Sequence, residues 1–148
     1  MNKELIDKLC NQPACVSFPP AVKADIVRAL EQLKELKFAA PTPDYMAFLS
    51  YLDGYYYDGL ELFGIRTHLR ISKQYTFSNL VEQNRNFCQY TFFIGKLIIG
   101  RLSEHFIIYD ERNKLYAIID RVNLCPMVEF SDFDDLLSTL LQFCSITA

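Results

Sequence analysis

Three apolar runs between residues 91 and 120 constrain this chain most: "TFFIGKLIIG" from Thr91, "EHFIIYD" from Glu104 and "KLYAIID" from Lys114. They are rich in β-branched and aromatic residues, which suit a pleated surface. They are nearly continuously apolar, and strands of that kind need cover on at least one face, usually from helices. Glu111-Arg112-Asn113 is short enough to make the last two runs a hairpin. Gly95 and Gly100 stand alone among strand residues, so they mark a bulge or a tight connection, not a phosphate loop.

Helical spacing supplies the cover. Leu5, Ile6 and Leu9 follow Asn2, a fitting N-cap. After "SFPP", with Pro19 and Pro20 fixing the start, Val22, Ile26, Ala29, Leu30, Leu33 and Leu36 share one face of a second helix. Thr42 caps a third and Pro43 fits its first turn, with Tyr45, Phe48, Leu49 and Leu52 on one side. "HLRISKQYTF" reads as one strand, followed by a short helix that Ser78 caps and that runs to about Tyr90. In "EFSDFDDLLSTLLQFC", Ser131 is the expected cap, and Asp132, Asp134 and Asp135 suit the positive end of the helix dipole. Phe133, Leu136, Leu137, Leu140, Leu141 and Cys144 then form an apolar face that predicts docking on the sheet. The order predicts a single α+β domain over residues 1–148, with a mostly antiparallel twisted sheet covered by helices and closed by the C-terminal one.

Between the third helix and these strands lies "YLDGYYYDGLELFGI", residues 51–65. Gly54 stands where a helix end favours a left-handed residue. Asp58-Gly59 separates two strand-like runs and predicts a tight hairpin. Alternation would put Tyr55 and Tyr57 on one face and Tyr56 on the other.

Charge is unevenly spread. Residues 41–65 carry four acids and no base, residues 66–121 nine bases against five acids, and residues 122–148 four acids and no base. Such segregation either gives opposed surface patches or reflects acids at helix starts and bases on strands. The N-terminus has no signal-peptide pattern, and "FFIGKLIIG" is too short to span a bilayer. Five cysteines without a C-x-x-C fit a cytoplasmic protein whose thiols mostly pack as small apolar groups.

No catalytic constellation emerges. His68 and His105 have no ligand spacing around them, so structural roles are expected and no metal. Ser103-Glu104-His105 points to alternate faces of a strand and cannot act as a relay. Asp53, Asp58 and Glu61 come close in sequence, but without a nucleophile they read as turn residues and an exposed carboxylate. An acidic pI of about 5.3 disfavours nucleic-acid binding.

The order "YMAFLSYLDG…YDGLELFGI", "FFIGKL", "HFIIYDERNKLYAIIDR" and "FSDFDDLLSTLL" resembles the SUKH superfamily, the Smi/Knr-like group, in its YrhA-like branch, over about residues 20–145. Many relatives carry a tryptophan in the early helices. Here there is none, and Tyr45 or Phe48 takes the space. The resemblance implies a non-catalytic domain without cofactor. It further implies a bacterial immunity protein that binds and neutralises a cognate polymorphic toxin, of nuclease or deaminase type. A regulatory or scaffold domain of the cell-wall-regulator type is the alternative, and an uncharacterised enzyme would need a deep pocket with convergent titrating groups. The expected partner is a protein, neither nucleic acid nor membrane, with the chain itself a monomer or weak dimer. Asp58 and Glu61 are expected to supply charge for docking, and Tyr55 and Tyr57 aromatic area.

Overall fold

Local sequence signals set most of the element boundaries. The structure is a computed structural model and describes residues 1–70 and 75–147. Helix α1 (Lys3–Cys10) starts at Asn2, whose side chain accepts from the Glu4 amide. Strand β1 (Val16–Ser17) leads to α2 (Lys23–Glu35). Helix α3 (Pro43–Tyr51) is capped by Thr42 as expected, its hydroxyl accepting from the Tyr45 amide. Next come β2 (Tyr55–Tyr57), β3 (Leu60–Leu62), β4 (His68–Arg70), β5 (Tyr75–Phe77), α4 (Leu80–Arg85), β6 (Lys96–Leu102), β7 (His105–Asp110), β8 (Leu115–Asp120), β9 (Pro126–Phe130) and α5 (Phe133–Thr147).

One antiparallel sheet runs β1-β2-β3-β6-β7-β8-β9, and β4 pairs with β5 apart from it. This is the expected α+β architecture. Tyr109 lies opposite Tyr116, and Phe106 opposite Ile119. Strand alternation therefore sends the two tyrosines to one face and Phe106 to the other. On the tyrosine face, Tyr116 meets Phe133 of α5, which meets Tyr45 and Phe48 of α3. On the opposite face, Phe106 meets Phe87 and Phe93. Asn84 of α4 is buried there, donating to the Ile98 carbonyl and accepting from the Ile98 amide. Cover on both faces explains why Ile107, Ile108, Ile118 and Ile119 are all buried.

Several expectations need correction. "TFFIGKLIIG" is not strand throughout: Thr91–Phe93 form a 3-10 turn, and the strand begins at Lys96, after Gly95 at φ +74°. "HLRISKQYTF" forms two short strands, β4 and β5, with residues 71–74 outside the described ones. Asn79, not Ser78, caps α4, which stops at Arg85. Asp132, not Ser131, accepts from the Asp134 amide at the start of α5. Pro19 and Pro20 precede the start of α2, and Val22 at its cap makes no side-chain bond. Strand β9 was not expected, since Pro126 and the absence of alternation hide it. It joins β8 through a register shift between Ile118 and Ile119. Gly100 sits at a second shift, between Ile98 and Gly100 of β6. An added Cβ there would stand 2.3 Å from the Glu61 carbonyl, so a close strand approach demands glycine.

Helix α5 docks as predicted, with Leu136, Leu137 and Leu140 fully buried. Leu140→Ala is expected to cost about 2–5 kcal/mol, read as a shifted urea midpoint at unchanged slope.

Candidate functional site

The 51–65 stretch folds by its own turn chemistry. Asp58 at φ +40° and Gly59 at φ +91° turn the chain between β2 and β3. Two positive φ angles are what a two-residue hairpin with the favourable twist requires. Tyr55 then lies opposite Leu62, Tyr56 opposite Glu61 and Tyr57 opposite Leu60.

Four residues were expected at a docking surface, and three are buried. Tyr55 is 1% exposed and Tyr57 is buried with it, while Tyr56 is half-buried on the other face. The Tyr55 hydroxyl donates to the Leu9 carbonyl at 2.7 Å, tying β2 to α1. Glu61 is 3% exposed. It sits directly across the β3–β6 ladder from Arg101, whose Nε and guanidinium Nη2 donate to its Oε1 at 3.1 and 2.8 Å. The physical reason is topological: β6 pairs on the far side of β3, so the hairpin lies inside the sheet and not at its rim. Only Asp58 remains exposed.

Burial pushes the Glu61 carboxyl up from its ordinary value of 4.5, while the Arg101 guanidinium pulls it the other way. The folded state thus holds this proton more tightly than the unfolded chain does. Its contribution to stability falls as pH rises from about 4.5 through the folded pKa. Glu61→Gln removes that dependence. Its stability relative to the parent is expected to improve between pH 4 and 7, as thermal melts across that range would show. A difference that does not change with pH would contradict this.

A buried polar cluster lies beside the hairpin, on Asp53. This buried carboxylate accepts from the Ile65 amide at 2.5 Å and the Arg66 amide at 3.1 Å. It also pairs with His68 Nε2 at 2.8 Å. The His68 ring stacks on Phe18 with centroids 4.0 Å apart and planes 5° apart. Gly54, at φ +105°, does not close α3, which ends at Tyr51. It lets the chain cross Gly64 at close range. The sequence places Asp53 beside a helix end and among the turn carboxylates with Asp58 and Glu61, not in this cluster. Its bonds span 12 to 15 residues, so no local pattern announces them.

An Asp–His pair can orient an imidazole for proton transfer. Here the cavity that Asp53, Glu61, His68, Phe77 and Ser78 help to line has a volume of about 10 Å³. That is room for one water and not for a substrate. The pair therefore ties the start of β4 to the end of α3. His105 is half-buried on β7 opposite Asp120. Among the described residues, no group of three histidine, cysteine or acidic side chains could hold a metal. A larger cleft of about 340 Å³ between α2 and α4 has its charges already matched, Asp25 pairing with Arg28 at 3.3 Å and Arg66 at 2.6 Å.

The surface feature that departs most from an ordinary solvated face is the outer edge of β9. Within it Met127 is 66% exposed and Val128 39%, and Val122, in the turn between β8 and β9, is 91% exposed. Cys125, Pro126 and Glu129 are exposed as well, and among the described residues the strand has no neighbour on its outer side. Beyond Phe130 follow the exposed acids Asp132 and Asp135. No base occurs in residues 122–148. No family model matches the chain, and no curated protein matches it. No described helix is long and apolar enough to cross a membrane.

Proposed function

We propose that this protein is a non-catalytic binding domain of the immunity type, acting in the cytoplasm and occluding a cognate toxin domain with the β9 edge. The observation that carries this reading is that edge: an open five-residue strand with exposed Met127, Val128 and Glu129, in a segment, residues 122–148, that carries four acids and no base. An open strand edge is a template for backbone pairing with another chain. Exposed apolar side chains add burial, and the acids complement the basic surface of a nuclease or deaminase. Of the hairpin residues first expected to dock, Tyr55, Tyr57 and Glu61 are buried and Asp58 alone is exposed.

This reading places a toxin gene beside the protein's own, and the test is co-expression with the toxin domain that such a neighbour encodes. The parent protein is expected to restore growth and to co-purify with the toxin domain at one to one. Growth arrest that persists despite soluble, folded protein would overturn the reading.

A further inference from the structure

Three of the five cysteines meet at one place, two of them five residues apart and the third far along the chain. Cys10 closes α1, Cys15 precedes β1 and Cys144 lies in α5, all near the Tyr55 hydroxyl. None of the five is in a disulfide. Between Cys10 and Cys15 the chain bends back on itself. Ala14 takes φ +64°, and the Cys15 amide donates to the Gln12 carbonyl. The Cys15 thiol consequently turns onto its neighbour and donates to the Cys10 carbonyl at 3.2 Å. A carbonyl oxygen is about 2.4 Å from its own Cα, so the Cys15 sulfur lies within about 6 Å of the Cys10 Cα. Both residues are half-buried, whereas Cys144 is fully buried. Cys88 and Cys125 are exposed and lie outside this cluster.

We propose that Cys10 and Cys15 form a reversible dithiol–disulfide site, closed by a small-molecule disulfide such as oxidised glutathione and reopened by the corresponding thiol. One protein thiol loses its proton to solvent, and its thiolate attacks a sulfur of the small disulfide. That S–S bond breaks, the first small thiolate leaves and takes up a proton, and a mixed disulfide remains. The second cysteine, likewise deprotonated, attacks the protein-bound sulfur and expels the second small thiol. The protein loses two hydrogens and gains one S–S bond, and the small disulfide is reduced to two thiols. The intervening loop of Asn11–Ala14 is short, so little entropy opposes closure. The bond would lock the end of α1 to the start of β1. Burial holds both thiols above their ordinary range, as does the proximity of Cys15 for Cys10. Closure is therefore slow at neutral pH and accelerates about tenfold per pH unit while the thiolate is scarce.

The test uses the native full chain. It is incubated with oxidised glutathione at pH 7 and pH 8, quenched in acid, alkylated and digested with trypsin. Cys10 and Cys15 share one tryptic peptide, residues 9–23, while Cys125 and Cys144 share another, residues 122–148. The expected result is a 9–23 peptide two hydrogens lighter, refractory to alkylation and restored by reduced glutathione. Cys10→Ser and Cys15→Ser should each leave a glutathione adduct on the remaining thiol. Cys88→Ser with Cys125→Ser should change nothing in this peptide. The proposal is overturned if peptide 9–23 of the unmutated protein stays fully alkylatable, carries glutathione without closing, or is joined to peptide 122–148 through Cys144.

Discussion

Gly64→Ala is expected to destabilise the protein by at least about 3 kcal/mol, a loss of about 10 °C in Tm for a chain of this size. A Cβ at residue 64 would stand 2.2 Å from the Asp53 carbonyl oxygen and 2.6 Å from its carbon. Both obstacles are backbone, so no rotamer change relieves them. The Gly64 carbonyl also accepts from the Leu80 amide at 2.7 Å, which couples any shift to the start of α4. Gly95→Ala separates this crowding from backbone strain. Gly95 has φ +74° with nothing within 4 Å of an added Cβ, and it should cost only about 1–2 kcal/mol. Calorimetric melts of the two variants decide the matter. Equal losses would show that crowding at Asp53 is unimportant.

The second large effect is expected at Asp53 itself. Asp53→Ala removes the acceptor for the Ile65 and Arg66 amides and the partner of His68 at once. An unsatisfied buried donor costs about 1–3 kcal/mol, so the loss should be about 3–5 kcal/mol. His68→Ala alone should cost less, because both amides keep their acceptor. The double variant should cost less than the sum of the two, since both single variants lose the same Asp53–His68 bond, while it also loses the stacking of His68 on Phe18. Urea titrations of the three variants give the coupling. Strict additivity would contradict the arrangement.

Legibility in the sequence followed the range of the interaction. The Asp58-Gly59 turn, the Thr42 cap with Pro43 and the amphipathic face of α5 are written within a few residues, and each forms as read. The Ser78 and Ser131 caps failed by a single position, because Asn79 and Asp132 offer carboxamide and carboxylate oxygens one residue closer to the helix. The misplacement of Glu61, Tyr55 and Tyr57 came from a longer-range choice. Whether β3 is an edge or an interior strand depends on β6, whose Arg101 is 40 residues further on. Strand β9 was hidden because an edge strand needs little alternation, and proline is tolerated there. The Asp53 cluster combines three distant contacts with no motif, and the thiol cluster brings Cys144 back to the N-terminal helix across nearly the whole chain.

Whether this is a binding protein that receives its partner on the β9 edge is tested most directly by titrating the toxin domain that this reading places beside the gene into four proteins of equal thermal stability: the parent, Met127→Lys, Val128→Lys and Asp58→Lys. Isothermal calorimetry should give one-to-one binding to the parent. Each β9 substitution is expected to weaken it by at least about tenfold, because a central interface residue carries more than 1.4 kcal/mol. Asp58→Lys, on the exposed hairpin turn, should change it less than about twofold. Undiminished affinity in both β9 variants, or a loss confined to Asp58→Lys, would contradict the assignment.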